Sequence, residues 1–323
     1  MGHGTTTRIR PRIGMLVASI LVAVAAGSTG LRLGYLPSTP LEASVPLRAI
    51  PDSYLGVFED GPPGTYQPDA EFTRAVGKQP NLVGYRSGWG EGFQTSFART
   101  VDAHGAFTIL QWDPAGASVA GIAAGDYDYY LRSYADGVRD FGRPVVIGFG
   151  REMNATWHTW GYGHVPPRTF VAAWRHIVRL FRRQGAHNVT WLWTINADLP
   201  SITGPIADWW PGAGYVTWVG IDGYYYRSSN TFASVFGRTI IQARELAHKP
   251  VLLSATAVAP GADQAAKIGN LFAGMRRYQA LGLVWFDVAQ HHGLYHHDWR
   301  IENSPAAEAA FRRGASTLTL VRP

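Results

Sequence analysis

The chain has 323 residues, 46% of them hydrophobic and only 16% charged, a balance that supports a large core and excludes disorder for the body. The formal charge is +6, but basic residues are scattered apart from Arg8, Arg10, Arg12 and the pair Arg182-Arg183. No basic stripe interleaved with aromatics points to nucleic acid, and the absence of cysteine excludes disulfides and thiolate metal sites.

In chain order, three arginines precede an apolar run from Ile13 to Ala26, and Ala23-Val24-Ala25 supplies small residues at signal-peptidase spacing. Residues 1–26 therefore read as a secretory signal peptide, with an uncleaved membrane anchor as the alternative. Fourteen helical residues would span about 21 Å, short of the roughly 30 Å hydrocarbon core. Residues 27–50, with Pro37, Pro40 and Pro46, read as a linker.

From residue 51 to 314, short apolar runs alternate with amphipathic stretches. The predicted strands are Tyr54–Phe58, Leu82–Tyr85, Phe107–Trp112, Pro144–Phe149, Val189–Ile195, Tyr215–Ile221, Val251–Ser254 and Leu283–Phe286. Near-continuous apolar runs are what strands buried on both faces require. The clearest helix runs from Pro167 to Gly185, with Phe170, Trp174, Ile177, Val178 and Phe181 at helical spacing. Eight strands with interposed helices predict an α/β fold, a single (β/α)8 TIM barrel. A doubly wound sheet would want a phosphate loop after the first strand, and Phe58-Glu59-Asp60-Gly61-Pro62-Pro63 is not one. Residues 315–323 read as a C-terminal tail.

In such a barrel, chemistry sits at the C-terminal ends of the strands. Those ends carry Glu59 and Asp60, Arg86 and Trp89, Trp112 and Asp113, Arg151 and Glu152, and Asn196 and Asp198. They continue with Asp222 and Tyr224 to Tyr226, Ala255 and Thr256, and Trp285 and Asp287. Asp113 and Asp198 could each simply cap a helix. The convergence of carboxylates with twelve Trp and fifteen Tyr in the chain suggests a cleft whose flat aromatic faces stack sugar rings; core packing is the other use of such residues.

The stretch Gly150-Arg151-Glu152-Met153-Asn154-Ala155-Thr156-Trp157-His158-Thr159-Trp160-Gly161 resembles the acid/base motif of glycoside hydrolase family 26, mostly β-mannanases with some β-glucanases and β-1,3-xylanases. Phe170 to Phe181, Asn188 to Asn196, Tyr215 to Tyr224, Lys249-Pro250 and Trp285-Phe286 are similar to that family's later elements, in order. The resemblance covers about residues 51–311. It implies a retaining mechanism on two carboxylates, an acid/base after strand four and a nucleophile after strand seven, about 5–5.5 Å apart. Glu152 matches the acid/base. Trp157 matches an aromatic that floors the subsite of the cleaved sugar, and Asp222 with its following tyrosines, Tyr224 and Tyr225 among them, matches a polar cluster near the nucleophile. Trp89, Trp112, Arg151, Trp285 and Asp287 complete the expected substrate-binding set.

Two departures stand out. Arg151 takes the place of a histidine usual before the acid/base. Ala255, in Lys249-Pro250-Val251-Leu252-Leu253-Ser254-Ala255-Thr256, stands where family members carry the nucleophilic glutamate. A methyl group cannot attack an anomeric carbon, so double displacement should fail. Three readings stay open: a nucleophile-substituted form of an active enzyme; a glycan-binding pseudoenzyme; or a hydrolase in which Asp287 or Asp222 has taken over, with an activated water and inversion. Inversion would need a wider separation of about 6.5–9.5 Å.

His291, His292, His296, His297 and Asp298 lack the spacing of a metal motif and read as a polar loop at the cleft rim. Neither His-Glu-x-x-His nor Gly-x-Ser-x-Gly occurs. The expected partner is a β-linked oligo- or polysaccharide, with no metal, cofactor, nucleic acid or protein partner, and the expected location is extracytoplasmic.

Overall fold

The computed structural model describes residues 46–197, 203–290 and 296–323. The predicted signal segment, Asp198, His291 and His292 lie outside the described residues. All eight predicted strands form: β1 (Tyr54–Glu59), β2 (Leu82–Gly88), β3 (Phe107–Asp113), β4 (Val145–Phe149), β5 (Val189–Asn196), β6 (Trp218–Asp222), β7 (Val251–Thr256) and β8 (Gly282–Asp287). They pair in parallel in chain order, and β8 closes on β1 to make the barrel. Buried on both faces, every strand is apolar along most of its length.

The helices on the outside are α1 (Gln67–Val76), α2 (Thr95–Ala103), α3 (Val119–Ala124), α4 (Asp128–Phe141), α5 (Pro167–Arg183), α6 (Arg238–Ala247), α7 (Gln264–Arg277) and α8 (Pro305–Ser316). In α5 the five residues predicted to face the core are all buried, Pro167 starts the helix, and Gly185 follows its end at φ +78°. Proline at the first helical position loses no hydrogen bond, and glycine takes the left-handed conformation that ends the helix.

Side-chain direction is what positions the site. Phe58 packs over Gly84, Gln111 over Gly148, and Ser254 and Thr194 over Gly220, so these residues fill the barrel's interior. A side chain in place of any of these glycines would collide with the facing residue. By alternation Arg86, Asp113 and Phe286 also point inward, and Tyr85, Trp112, Phe149 and Trp285 point out toward the helices. β7 departs from regular pairing: its register shifts between the Gly220 and Asp222 pairs, so that Ala255 lies beside Asp222.

Both ends of the predicted domain need correction. Part of the predicted linker belongs to the barrel: Leu47 is buried, and its N–H donates to Thr190 Oγ1 at 2.8 Å. The predicted tail is also fixed. α8 runs on to Ser316, Leu318 is buried, the Thr319 N–H donates to the Asp52 carbonyl, and Asn81 Nδ2 donates to the Val321 carbonyl at 2.7 Å. These two segments lie at the N-terminal end of the barrel, opposite the mouth.

Candidate active site

Glu152 stands just past β4 in a left-handed backbone conformation, φ +53°, which side-chain-bearing residues rarely adopt. Its N–H donates to the Thr194 carbonyl at 2.8 Å, which fixes it against β5. Such strain persists only where the surroundings impose it. Its carboxylate is almost fully engaged. Asn196 Nδ2 donates to Oε1 at 2.7 Å; Arg151 Nη1 and Trp157 Nε1 each donate to Oε2 at 3.0 Å. His158 Nε2 lies 3.1 Å from Oε2 and donates to it in the Nε2–H tautomer. Asn154 holds Asn196 in turn, accepting from its N–H and donating to its carbonyl.

Burial raises the Glu152 pKa, but the His158 hydrogen bond, the Arg151 and His158 charges and the Asn196 amide outweigh it and leave a value of about 2. The carboxylate is therefore ionised at neutral pH. Arg151 is shared with Asp113 at 3.2 Å. Asp222 behaves oppositely. Its burial and the nearby Glu152 charge raise its pKa to about 8, against a hydrogen bond from Ser254 Oγ at 2.5 Å and the Arg151 and Arg86 charges.

Ala255, 6% exposed, sits beside Asp222 on the neighbouring strand. Tyr224, packed against Phe286 and Trp299, is raised in pKa by burial and by the Asp222 and Glu152 charges, so its hydroxyl stays neutral. The mouth thus gathers Arg151, Glu152, Trp157, Asp222, Tyr224 and Ala255 from the expected set. It also gathers Arg86, Asp113 and Asn196 from the strand ends named in the sequence, and adds His158 and Phe286, for which the sequence offers no specific role. Trp157 is 37% exposed, and Trp89 is half-buried with one face on Trp112.

Four expected sugar-binding residues are corrected. Trp112 is fully buried between Trp89 and Tyr134, with ring centres 5.3 and 4.2 Å away, and has no free face. Trp285 is fully buried against Phe311 of α8. Tyr225 is buried against Phe236 and donates its hydroxyl to Asn270. Asp287 accepts from Trp285 Nε1 and the Ile301 N–H, on the helix side of the barrel wall, so it is no substitute for a nucleophile in the mouth. For Trp112, Trp285 and Asp287, strand alternation turns the side chain away from the cleft; Tyr225 lies in the turn after β6. Among the described residues, Glu59, Asp287 and Glu302 bring carboxylate oxygens within 4.8 Å of one another on that outer side, an all-oxygen set of the kind hard divalent cations use.

A family model described as glycosyl hydrolase family 26 matches residues 126–312. Endoglucanase H of Acetivibrio thermocellus is 28% identical over 257 residues, which are 75% of this chain and 28% of that longer protein. A mannanase of Bacillus subtilis superposes with a TM-score of 0.63 at 18% identity, covering 83% of this chain and 87% of the other. A β-mannanase from a symbiotic protist of the termite Reticulitermes speratus, solved with a gluco-manno-oligosaccharide, gives 0.58 at 17% identity, covering 84% and 88%.

Proposed function

Since the chain belongs to glycosyl hydrolase family 26, we propose that it holds a β-linked polysaccharide in its barrel mouth without cleaving it by double displacement. The observation that carries this reading is Ala255, which stands beside Asp222 where a retaining enzyme needs its second carboxylate. The same substitution acts on the acid. A neighbouring carboxylate would raise the pKa of Glu152 by like-charge repulsion. With a methyl there, no charge at position 255 opposes the His158, Arg151 and Asn196 donors that hold the Glu152 carboxyl ionised.

The ligand is a β-mannan or a related backbone such as a β-glucan, and the endoglucanase and mannanase relatives support both. Trp157 supplies a stacking face for the pyranose ring next to Glu152. The chain works outside the cytoplasm, as its arginine-led apolar N-terminal run indicates. Calorimetric titration with manno- and gluco-oligosaccharides, together with a reducing-sugar assay on the same polymers, tests the reading. Binding with turnover at background is expected; rapid release of reducing ends would contradict it.

One observation favours a second reading, hydrolysis through Asp222. Its proton-holding carboxyl lies near ionised Glu152, and such separated pairs are the mark of acid/base assignments. Against it, Asp222 is 3% exposed and already tied to Ser254. If this second reading held, Asp222→Asn would abolish a measurable activity.

A further inference from the structure

The mouth carries an arginine, Arg86, that makes no ion pair with any described carboxylate, although the Asp113 and Glu152 charges act on it. Arg86 rises from β2 with its guanidinium carbon 5.3 Å from the centre of the Phe286 ring on β8. It also acts electrostatically on Asp222 and Tyr224 at the end of β6. It thus faces groups of β6 and β8, the two strands that flank β7 and its Ala255. Among the described residues no carboxylate forms an ion pair with it. Asp113 and Glu152 are both held by Arg151, and Asp222 keeps its proton near neutrality. The side chain is solvent-exposed; the enclosing walls, and then the Arg151 charge, lower its pKa against the pull of Tyr224, Asp113 and Glu152.

An exposed arginine that has no ion pair of its own and faces a second arginine is open to a bound anion. A neutral sugar offers none. The geometry points to a carboxylate site over the Ala255 methyl, and we propose that Arg86, with Arg151 behind it, holds the carboxylate of a uronic-acid residue in a β-linked chain. A guanidinium matches a carboxylate with two parallel hydrogen bonds, and the Phe286 ring leaves an apolar surface beside it for the pyranose. The methyl at position 255 is what makes room, because a carboxylate built into the protein there would occupy the same charge position. This proposal rests on the glycan-binding reading and narrows its ligand to an acidic member of the class.

The test is calorimetric titration of the full chain with three probes: a β-1,4-linked mannuronate hexasaccharide, the neutral β-1,4-mannohexaose, and sodium acetate. Each is run on the unmodified protein, on Arg86→Gln, and on Ala255→Asp, which supplies an internal carboxylate too short to reach an anomeric carbon. The expected result is that the acidic hexasaccharide binds roughly tenfold or more tighter than the neutral one, as a charge-assisted contact provides. That ratio should fall to about one in both variants, and with rising salt. Equal affinities in the unmodified protein, or a preference that survives Arg86→Gln, would overturn the proposal. So would acetate binding that Arg86→Gln removes while the two sugars bind alike, since the site would then take free carboxylates only. If the neutral sugar binds and the acidic preference is missing, this proposal alone fails. If neither sugar binds, the glycan-binding reading fails with it.

Discussion

Glu152 is the residue on which the site's electrostatics turn, and its chemistry can be read from stability as well as from activity. Its pKa is depressed from the usual 4.5 to about 2. A depressed carboxyl contributes stability that is present above the unfolded pKa and lost as pH falls through the folded one. The melting temperature should therefore drop between about pH 5 and pH 2 through this group. Glu152→Gln should be less stable at pH 7 by about 1–3 kcal/mol, because Arg151 and His158 lose their acceptor, and should lack that part of the acid loss. Thermal melts of both proteins across pH 2–7 check this; parallel curves would show that the four donors do not perturb the carboxyl. The aromatics divide just as clearly. Trp112→Ala should cost about 3–5 kcal/mol, as truncation of a fully buried large ring does, with the oligosaccharide affinity of the folded fraction unaltered. Trp157→Ala should leave the melting temperature nearly unchanged and weaken sugar binding at least several-fold. Denaturant melts paired with titrations distinguish the two outcomes.

At the level of elements, all eight strands were legible because strands buried on both faces leave continuous apolar runs. The same continuity hides which face is which. In Trp285-Phe286 only one ring can face the mouth, and nothing in an unbroken apolar run says that it is Phe286. Tyr225 lies past the end of β6, where three consecutive tyrosines carry no period to say which one faces the cleft. Trp157 and Arg151 were legible because they sit in an irregular segment with a distinctive residue order. His158 lies in that same segment, but without periodicity nothing there fixes which side chain turns back to Glu152. The first and last segments of the barrel, near Leu47 and Leu318, were read as linker and tail because single apolar residues in extended chain carry no period. The elements around β1 hold a second electrostatic feature, of opposite sign to Glu152. Asp69 in the first turn of α1 is buried with neither carboxyl oxygen hydrogen-bonded, and burial raises its pKa to about 7. Glu59, half-buried and beside Asp287, is raised well above the usual carboxylate range by desolvation and by the Asp287 charge. A raised carboxyl contributes stability that is full below the unfolded pKa and is lost as pH rises through the folded one. Asp69→Asn should thus match the parent near pH 4 and exceed it by several degrees in melting temperature at pH 8. A difference that stays constant with pH would contradict the assignment.

The described barrel closes on itself through β8 and β1, and its mouth is lined with charged residues. Within that frame the family's acid side is built in detail, from the left-handed turn at Glu152 to its four donors, while the opposite strand ends in a methyl. On the reading proposed above, this methyl alone separates the protein from a working retaining glycosidase. The direct measurement is the hydrolysis of mannan and mixed-linkage glucan by the unmodified chain and by Ala255→Glu, with the anomer first released followed by proton NMR. Background turnover is expected for the first, and for the second a rise of several orders of magnitude with the β-anomer released initially. Rapid hydrolysis by the unmodified chain, or release of the α-anomer by either protein, would contradict it.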